Sequence, residues 1–138
     1  SHVTAATIRK VVERHDPIEV WGTGDDIRDV IYIDDFVDAV MLSMEKMDTY
    51  DPVNIGLGKG YSLKEILKTI LEVDGYANAA ITYDPSKPST IPVRLVDSSK
   101  SESALGFTPA TSLREGLKKT VQWYRESRNL PRSVTSTV

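Results

Sequence analysis

From Thr4 to Arg14 the apolar positions Ile8, Val11 and Val12 are spaced to share one face, which predicts a first helix. Pro17 ends it, and Ile18-Glu19-Val20-Trp21 reads as a short strand. A turn follows over Gly22–Asp26, then a β-branched and aromatic run, Arg28–Ile33, reads as a second strand. Asp34 or Asp35 is placed to cap a helix reaching about Met47, with Phe36, Val37, Val40, Met41 and Met44 along it. Val53–Ile55 reads as a third strand leading into Gly56, Gly58 and Gly60. Ser62 with Glu65 forms a capping box for a helix through about Val73.

The second half continues the mixture. Ala80–Asp84 predicts a strand, residues 85–92 a proline-rich loop, and Val93–Asp97 another short extended segment. A short helix from about Ser99 ends at Gly106, and Ser112 with Glu115 opens the last helix. Residues 129–138 read as a flexible tail after a single unit over 1–128. Helices between short strands make the class α/β: a small mixed α/β domain.

Composition narrows the function classes. The 138 residues carry 40% apolar and 27% charged side chains, ordinary for a globular protein. A net charge of -3 gives no reason to expect nucleic acid or an anionic membrane as partner. No apolar run approaches the ~18 residues of a membrane span, and no signal-peptide pattern opens the chain. A cytoplasmic location is therefore expected. With no cysteine there is no disulfide or thiolate metal site, and His2 and His15 are too scattered to suggest a metal. The chain starts at Ser1-His2-Val3 without methionine; a tag scar and excision from a longer protein would each explain that.

Two motifs look like cofactor chemistry and fail. The strand–glycine–helix order around Val53–Ile66 suggests a dinucleotide loop, but G-x-G-x-x-G needs glycine where Tyr61 stands. A Walker loop needs Ser or Thr after its lysine, and Lys59 is followed by Gly60. The expected reading is a structural turn. Tyr83-x-x-x-Lys87 matches the short-chain dehydrogenase pair, but Pro85 and Pro88 forbid the helical turn that pair requires.

Three other places carry candidate chemistry. Trp21 at a strand end and Arg28 at the next strand suit a base or sugar plus a phosphate; a partly buried tryptophan and a surface arginine is the plain alternative. Lys87 and Arg94, on and beside the proline-stiffened loop, would clamp a diphosphate, or belong to a solvated loop. His2, with Arg9 and Lys10 further along the same helix, offers an imidazole for acid–base work, although a lone terminal histidine usually does nothing.

Taken in order, "SHV…IRK", "VWGTGDDIRDVIYIDDFVDAV", "NIGLGKGYSLKEI" and "YDPSKPSTIPVRLVDSSKSESALGFTPATSLREGLKKTVQWY" resemble the C-terminal part of an extended short-chain dehydrogenase/reductase. This is the NAD-dependent epimerase/dehydratase family of nucleotide-sugar enzymes, and the likeness is greatest to its GDP-L-fucose synthase branch. The resemblance runs from Ser1 to about Glu126 and favours a native Ser1-His2.

It implies that His2 is an acid of the epimerisation lying near the cofactor, and that Lys10 contacts substrate. It implies that Trp21 and Arg28 bind the GDP moiety, and that Arg94 matches the basic residue after the "SKP" loop, where the family often has lysine. The loop departs from the branch at Ser89, Thr90, Ile91 and Val93, which leaves sugar and base open. The family's Rossmann half, with its true Tyr-x-x-x-Lys, is expected to precede Ser1. NADP is the expected cofactor of the parent enzyme; none is expected to bind this chain alone, which would then be inactive by itself. Expected partners are a GDP-sugar and the missing Rossmann half, with self-association of a detached portion through exposed apolar surface. The rival readings are a portion of another nucleotide-sugar epimerase or dehydratase, and a stand-alone, non-catalytic binding module.

Overall fold

Ser62 and Glu65 act as the sequence suggests. In the computed structural model, which describes residues 2–87 and 91–131, the Ser62 hydroxyl accepts from the Glu65 amide at 3.1 Å. The Glu65 carboxylate in turn accepts from the Ser62 amide at 2.7 Å. Ser1, residues 88–90 of the proline-rich loop and residues 132–138 of the predicted tail lie outside the described residues.

Among the described residues the elements are α1 (Val3–Val12), β1 (Ile18–Trp21), β2 (Ile27–Asp29), α2 (Ile33–Lys46) and β3 (Gly60–Ser62). They continue with α3 (Leu63–Asp74), β4 (Ile81–Asp84), β5 (Val93–Arg94), α4 (Ser99–Leu105) and α5 (Leu113–Ser127). β1 pairs with β4 in parallel, while β2 lies between antiparallel β3 and parallel β5. The described residues form a small mixed α/β unit of two short sheets and five helices.

Three helices make the main core. Ile8, Val11 and Val12 of α1 meet Ile66, Leu67 and Ile70 of α3, Leu117 and Val121 of α5, and Ile18 and Val20 of β1. A smaller cluster of Ala39, Leu105 and Phe107 joins α2 to α4.

Where the helices end, charge enters the core. Asp74, the last residue of α3, is fully buried. Its Oδ1 accepts from Arg125 Nε at 2.8 Å and Nη2 at 2.6 Å, and its Oδ2 is bound by Arg14 Nη1. Arg14 also donates to the Val11 carbonyl at 2.9 Å and lies 4.6 Å from the Tyr76 ring centroid. One carboxylate thus ties together the C-terminal ends of α1, α3 and α5.

Several sequence expectations need correction. Val53–Ile55 is not a strand: Val53 and Ile55 pack on the α2–α4 cluster from an irregular segment, and the strand comes after the glycines, at β3. β2 stops at Asp29, short of Ile33, because Val30 and Ile31 turn aside to pack on the two cores. Likewise, β5 covers only Val93–Arg94 of the expected Val93–Asp97. Neither Asp34 nor Asp35 caps α2, whose N-cap is Tyr32. Asp35 is buried one turn in, accepting from the Thr111 amide at 2.9 Å and hydroxyl at 3.0 Å.

The glycine loop has a guest. Asp29 Oδ1 accepts from the Leu57 amide at 2.8 Å and Oδ2 from the Gly58 amide at 2.9 Å. The loop does gather an anion on converging backbone amides, and that anion is a side chain of the same chain. Gly58 reaches this geometry at φ +69, and a Cβ at Gly60 would lie 2.3 Å from Ile27 Cγ2, so β2 and β3 meet there only through glycine.

Asp74→Asn removes the charge that two guanidinium groups share, leaving buried Arg125 uncompensated. It lowers stability by about 3–5 kcal/mol, read by urea denaturation followed by circular dichroism.

Candidate functional site

Lys10 and Trp21, far apart in the first segment, border one groove. α1 runs beside β1, and Val3, Thr7 and Lys10 of the helix face Glu19 and Trp21 of the strand across a cavity of 320 Å³. Among the described residues β1 has a strand neighbour on one side only, β4, so its other edge opens toward the helix. Lys10 Nζ closes part of that edge by donating to the Glu19 carbonyl at 2.6 Å.

Trp21 ends β1 with 62% of its surface exposed. It pairs in register with Asp84, and the Asp84 carbonyl accepts from the Gly22 amide at 2.8 Å. The Asp84 carboxylate then folds the chain back by accepting from the Ser86 hydroxyl at 2.5 Å and amide at 3.0 Å. This turn sets Lys87 Nζ 5.8 Å from the Trp21 ring centroid. The Ser86 hydrogen bonds, aided by Lys87, hold the Asp84 carboxyl below the usual carboxylate range. Because this folded-state value is lowered, the turn is fully supported above the ordinary carboxylate pKa and weakens as pH falls through the lowered one.

The other end of the loop is tied to β2. Pro92 accepts from the Ile27 amide at 2.8 Å. Arg28 Nη1 donates to the carbonyls of Ile27 and Ile91, each at 2.8 Å, and Nη2 donates to Asp26 Oδ2 at 3.0 Å. Arg28 is also in register with Arg94 of β5. Registered neighbours in a parallel pair project to one face with strands ~4.8 Å apart, so two guanidinium-bearing residues stand side by side. Arg28 is already paired with Asp26, and Arg94 adds a second cation on that face that can meet an anion.

The structure therefore joins the sequence candidates as Lys10 with Trp21, Trp21 with Lys87, and Arg28 with Arg94. The loop leaving β4 links the last two pairs. His2 lies apart from the groove lining, as the exposed N-cap of α1 with no side-chain capping bond. It sits at the start of the helix that carries Lys10, at i, i+4, i+8 spacing through Ala6. Tyr83 is in β4 and Lys87 in the turn after it, so they do not form a helical pair; the Tyr83 ring instead faces Lys64 Nζ at 5.4 Å. Glu19 was not among the sequence candidates. The signal for it is the alternation of β1, which puts Glu19 and Trp21 on the same exposed side.

Arg28→Lys tests the anchor, because one ammonium cannot reproduce a planar fork that spans two carbonyls and a carboxylate. Stability falls by about 1–2 kcal/mol, and the Ile27 amide loses hydrogen-exchange protection while the α3 amides keep theirs.

Comparison with known proteins gives these groups a context. Residues 1–56 match the NAD dependent epimerase/dehydratase family. Putative GDP-L-fucose synthase 2 of Arabidopsis thaliana is 37% identical over 131 residues, covering 92% of this chain and 39% of that protein. GDP-L-colitose synthase of Yersinia pseudotuberculosis is 29% identical over 134 residues, covering 94% of this chain and 43% of that protein. Among solved structures, UDP-glucose 4-epimerase of Thermotoga maritima, crystallised with UDP-glucose, superposes with a TM-score of 0.80 at 30% identity. That match covers 93% of this chain and 40% of the epimerase. The chain thus spans about two-fifths of the length of these relatives. On sequence and fold together, the chain belongs to the NAD-dependent epimerase/dehydratase family.

Proposed function

We propose that this chain is the nucleotide-sugar-binding portion of a GDP-L-fucose synthase-like epimerase/reductase. The observation that carries the reading is the loop leaving β4, which has Trp21 and Lys87 at one end and Arg28 and Arg94 at the other. An aromatic face and separated cations suit the two parts of a nucleoside diphosphate, a flat ring system and a diphosphate. Trp21 packs on the nucleotide, while Lys10, Lys87, Arg28 and Arg94 set the field for the diphosphate. Arg28 contributes from a fixed position, since its guanidinium already holds the loop. His2, at the mouth of the same helix, protonates the sugar carbanion during epimerisation. The whole reaction in this reading takes GDP-4-keto-6-deoxymannose to GDP-L-fucose, by epimerisation at C3 and C5 and reduction at C4.

NADP is the reductant implied for the complete enzyme, and the described residues do not fit it. The glycine loop that would cradle a pyrophosphate already holds the Asp29 carboxylate. The reduction belongs to a dinucleotide-binding half, and no step here runs through that cofactor.

The missing half also gives a partner to α2. Ile33, Phe36, Val37, Val40, Met41 and Met44 follow helical spacing along one side and are 39–73% exposed, while Ala39 on the opposite side is buried. A continuous apolar stripe on a surface helix is a contact face.

Calorimetric titration of the chain with GDP, UDP and dTDP tests the reading. GDP binding that weakens at least about 10-fold in Arg94→Ala or Trp21→Ala is the expected result. Equal binding of all three would move the chain to another branch of the family, and no binding of any would count against a nucleotide site. The stripe is tested separately by sedimentation: the free chain self-associates, and Met41→Lys with Met44→Lys returns it to monomer. A wild-type chain that is monomeric throughout would favour the stand-alone module instead.

A further inference from the structure

The groove beside Trp21 holds one acid that the proposed function leaves without a task. Glu19 and Trp21 are both exposed positions of β1, two residues apart on the same side, so their side chains rise ~6.5–7 Å from each other along the strand. Glu19 lines the same cavity as Lys10 and Trp21. Lys10, the nearest obvious counter-charge, is engaged with the Glu19 main-chain carbonyl, not with the carboxylate. Arg9, also on the groove lining, makes no ion pair with it. Among the described residues the Glu19 carboxylate has no hydrogen-bond or ion-pair partner.

Two carboxylate oxygens are a pair of acceptors with no donor. A base packed against Trp21 turns one edge toward them. Guanine offers two adjacent donors on that edge, N1–H and the 2-amino group, which match the two oxygens. Uracil and thymine offer a single N3–H between two carbonyls, and those carbonyls repel a carboxylate. Hypoxanthine has N1–H without the amino group. The cavity volume of 320 Å³ falls within the ~300–1,000 Å³ of ligand sites.

We infer that Glu19 is the base-selecting residue of this groove, accepting both guanine donors on its carboxylate. The inference rests on the reading that the Trp21 groove holds a nucleotide, and it assigns that site to guanine nucleotides through a residue the sequence motifs do not mark.

The test is calorimetric titration of the full chain, as wild type and as Glu19→Ala, with GDP, inosine diphosphate and UDP. Glu19 is exposed, so thermal melts of wild type and variant should coincide. The wild type binds GDP about 10- to 100-fold more tightly than inosine diphosphate, the range for a hydrogen bond to a charged group. Glu19→Ala closes that gap by weakening GDP to the level of inosine diphosphate, and leaves UDP no weaker than before. If wild type binds GDP and inosine diphosphate alike, or if Glu19→Ala weakens all three ligands by one factor, the inference falls while the nucleotide groove stands. If wild type binds none of the three, the groove reading falls and takes this assignment with it.

Discussion

Everything near the groove depends on a charge that water cannot reach. A buried carboxylate is tolerable only when it is paired and hydrogen-bonded, since its desolvation costs several kcal/mol. Asp74 meets that condition with two guanidinium groups drawn from opposite ends of the chain, Arg14 and Arg125. The arrangement fixes where α1 ends relative to α3 and α5. Residues 13–17 connect α1 to β1, so the same contact anchors the end of the helix that carries Lys10, which in turn donates to the Glu19 carbonyl of β1. Arg125 extends the tie by donating to the Pro131 carbonyl at 2.9 Å.

The cations of the site divide by what they already hold. Lys10 and Arg28 are spent on main-chain carbonyls, one closing the open edge of β1 and the other pinning the loop leaving β4. Arg94 projects from the face of β5, and Lys87 stacks over an exposed indole. The first pair builds the geometry and the second is presented outward. A purely surface reading of these four residues would not predict that division.

Local signals in the sequence translated well into structure. The capping box at Ser62, the Ser112 cap whose hydroxyl accepts from the Glu115 amide at 3.2 Å and the αL cap at Gly106 all depend on neighbours within a few residues. What failed depended on distant partners. Val53 and Ile55 are apolar because Leu105 and Phe107 cover them, and apolarity reports burial without saying whether a ladder forms. Asp35 has the residue type of a cap but is claimed by Thr111 across the fold. For the candidate site, the residue types and their order can be read from the sequence. The stacking of Lys87 on Trp21 and the register of Arg28 with Arg94 cannot, because parallel pairing leaves no local trace in either segment.

The loop filled by Asp29 bears on how such motifs are read. Glycines in series show that backbone amides converge, but they carry no information on what converges upon them. Here the guest is covalently part of its host, so it competes at an effective concentration of at least the ~mM order set by short tethers. Free phosphate meets a receptor that is always occupied. The loop has the geometry of a ligand site and the thermodynamics of a clasp, and its glycines serve the close approach of β2 and β3 and the seat of the Asp29 carboxylate.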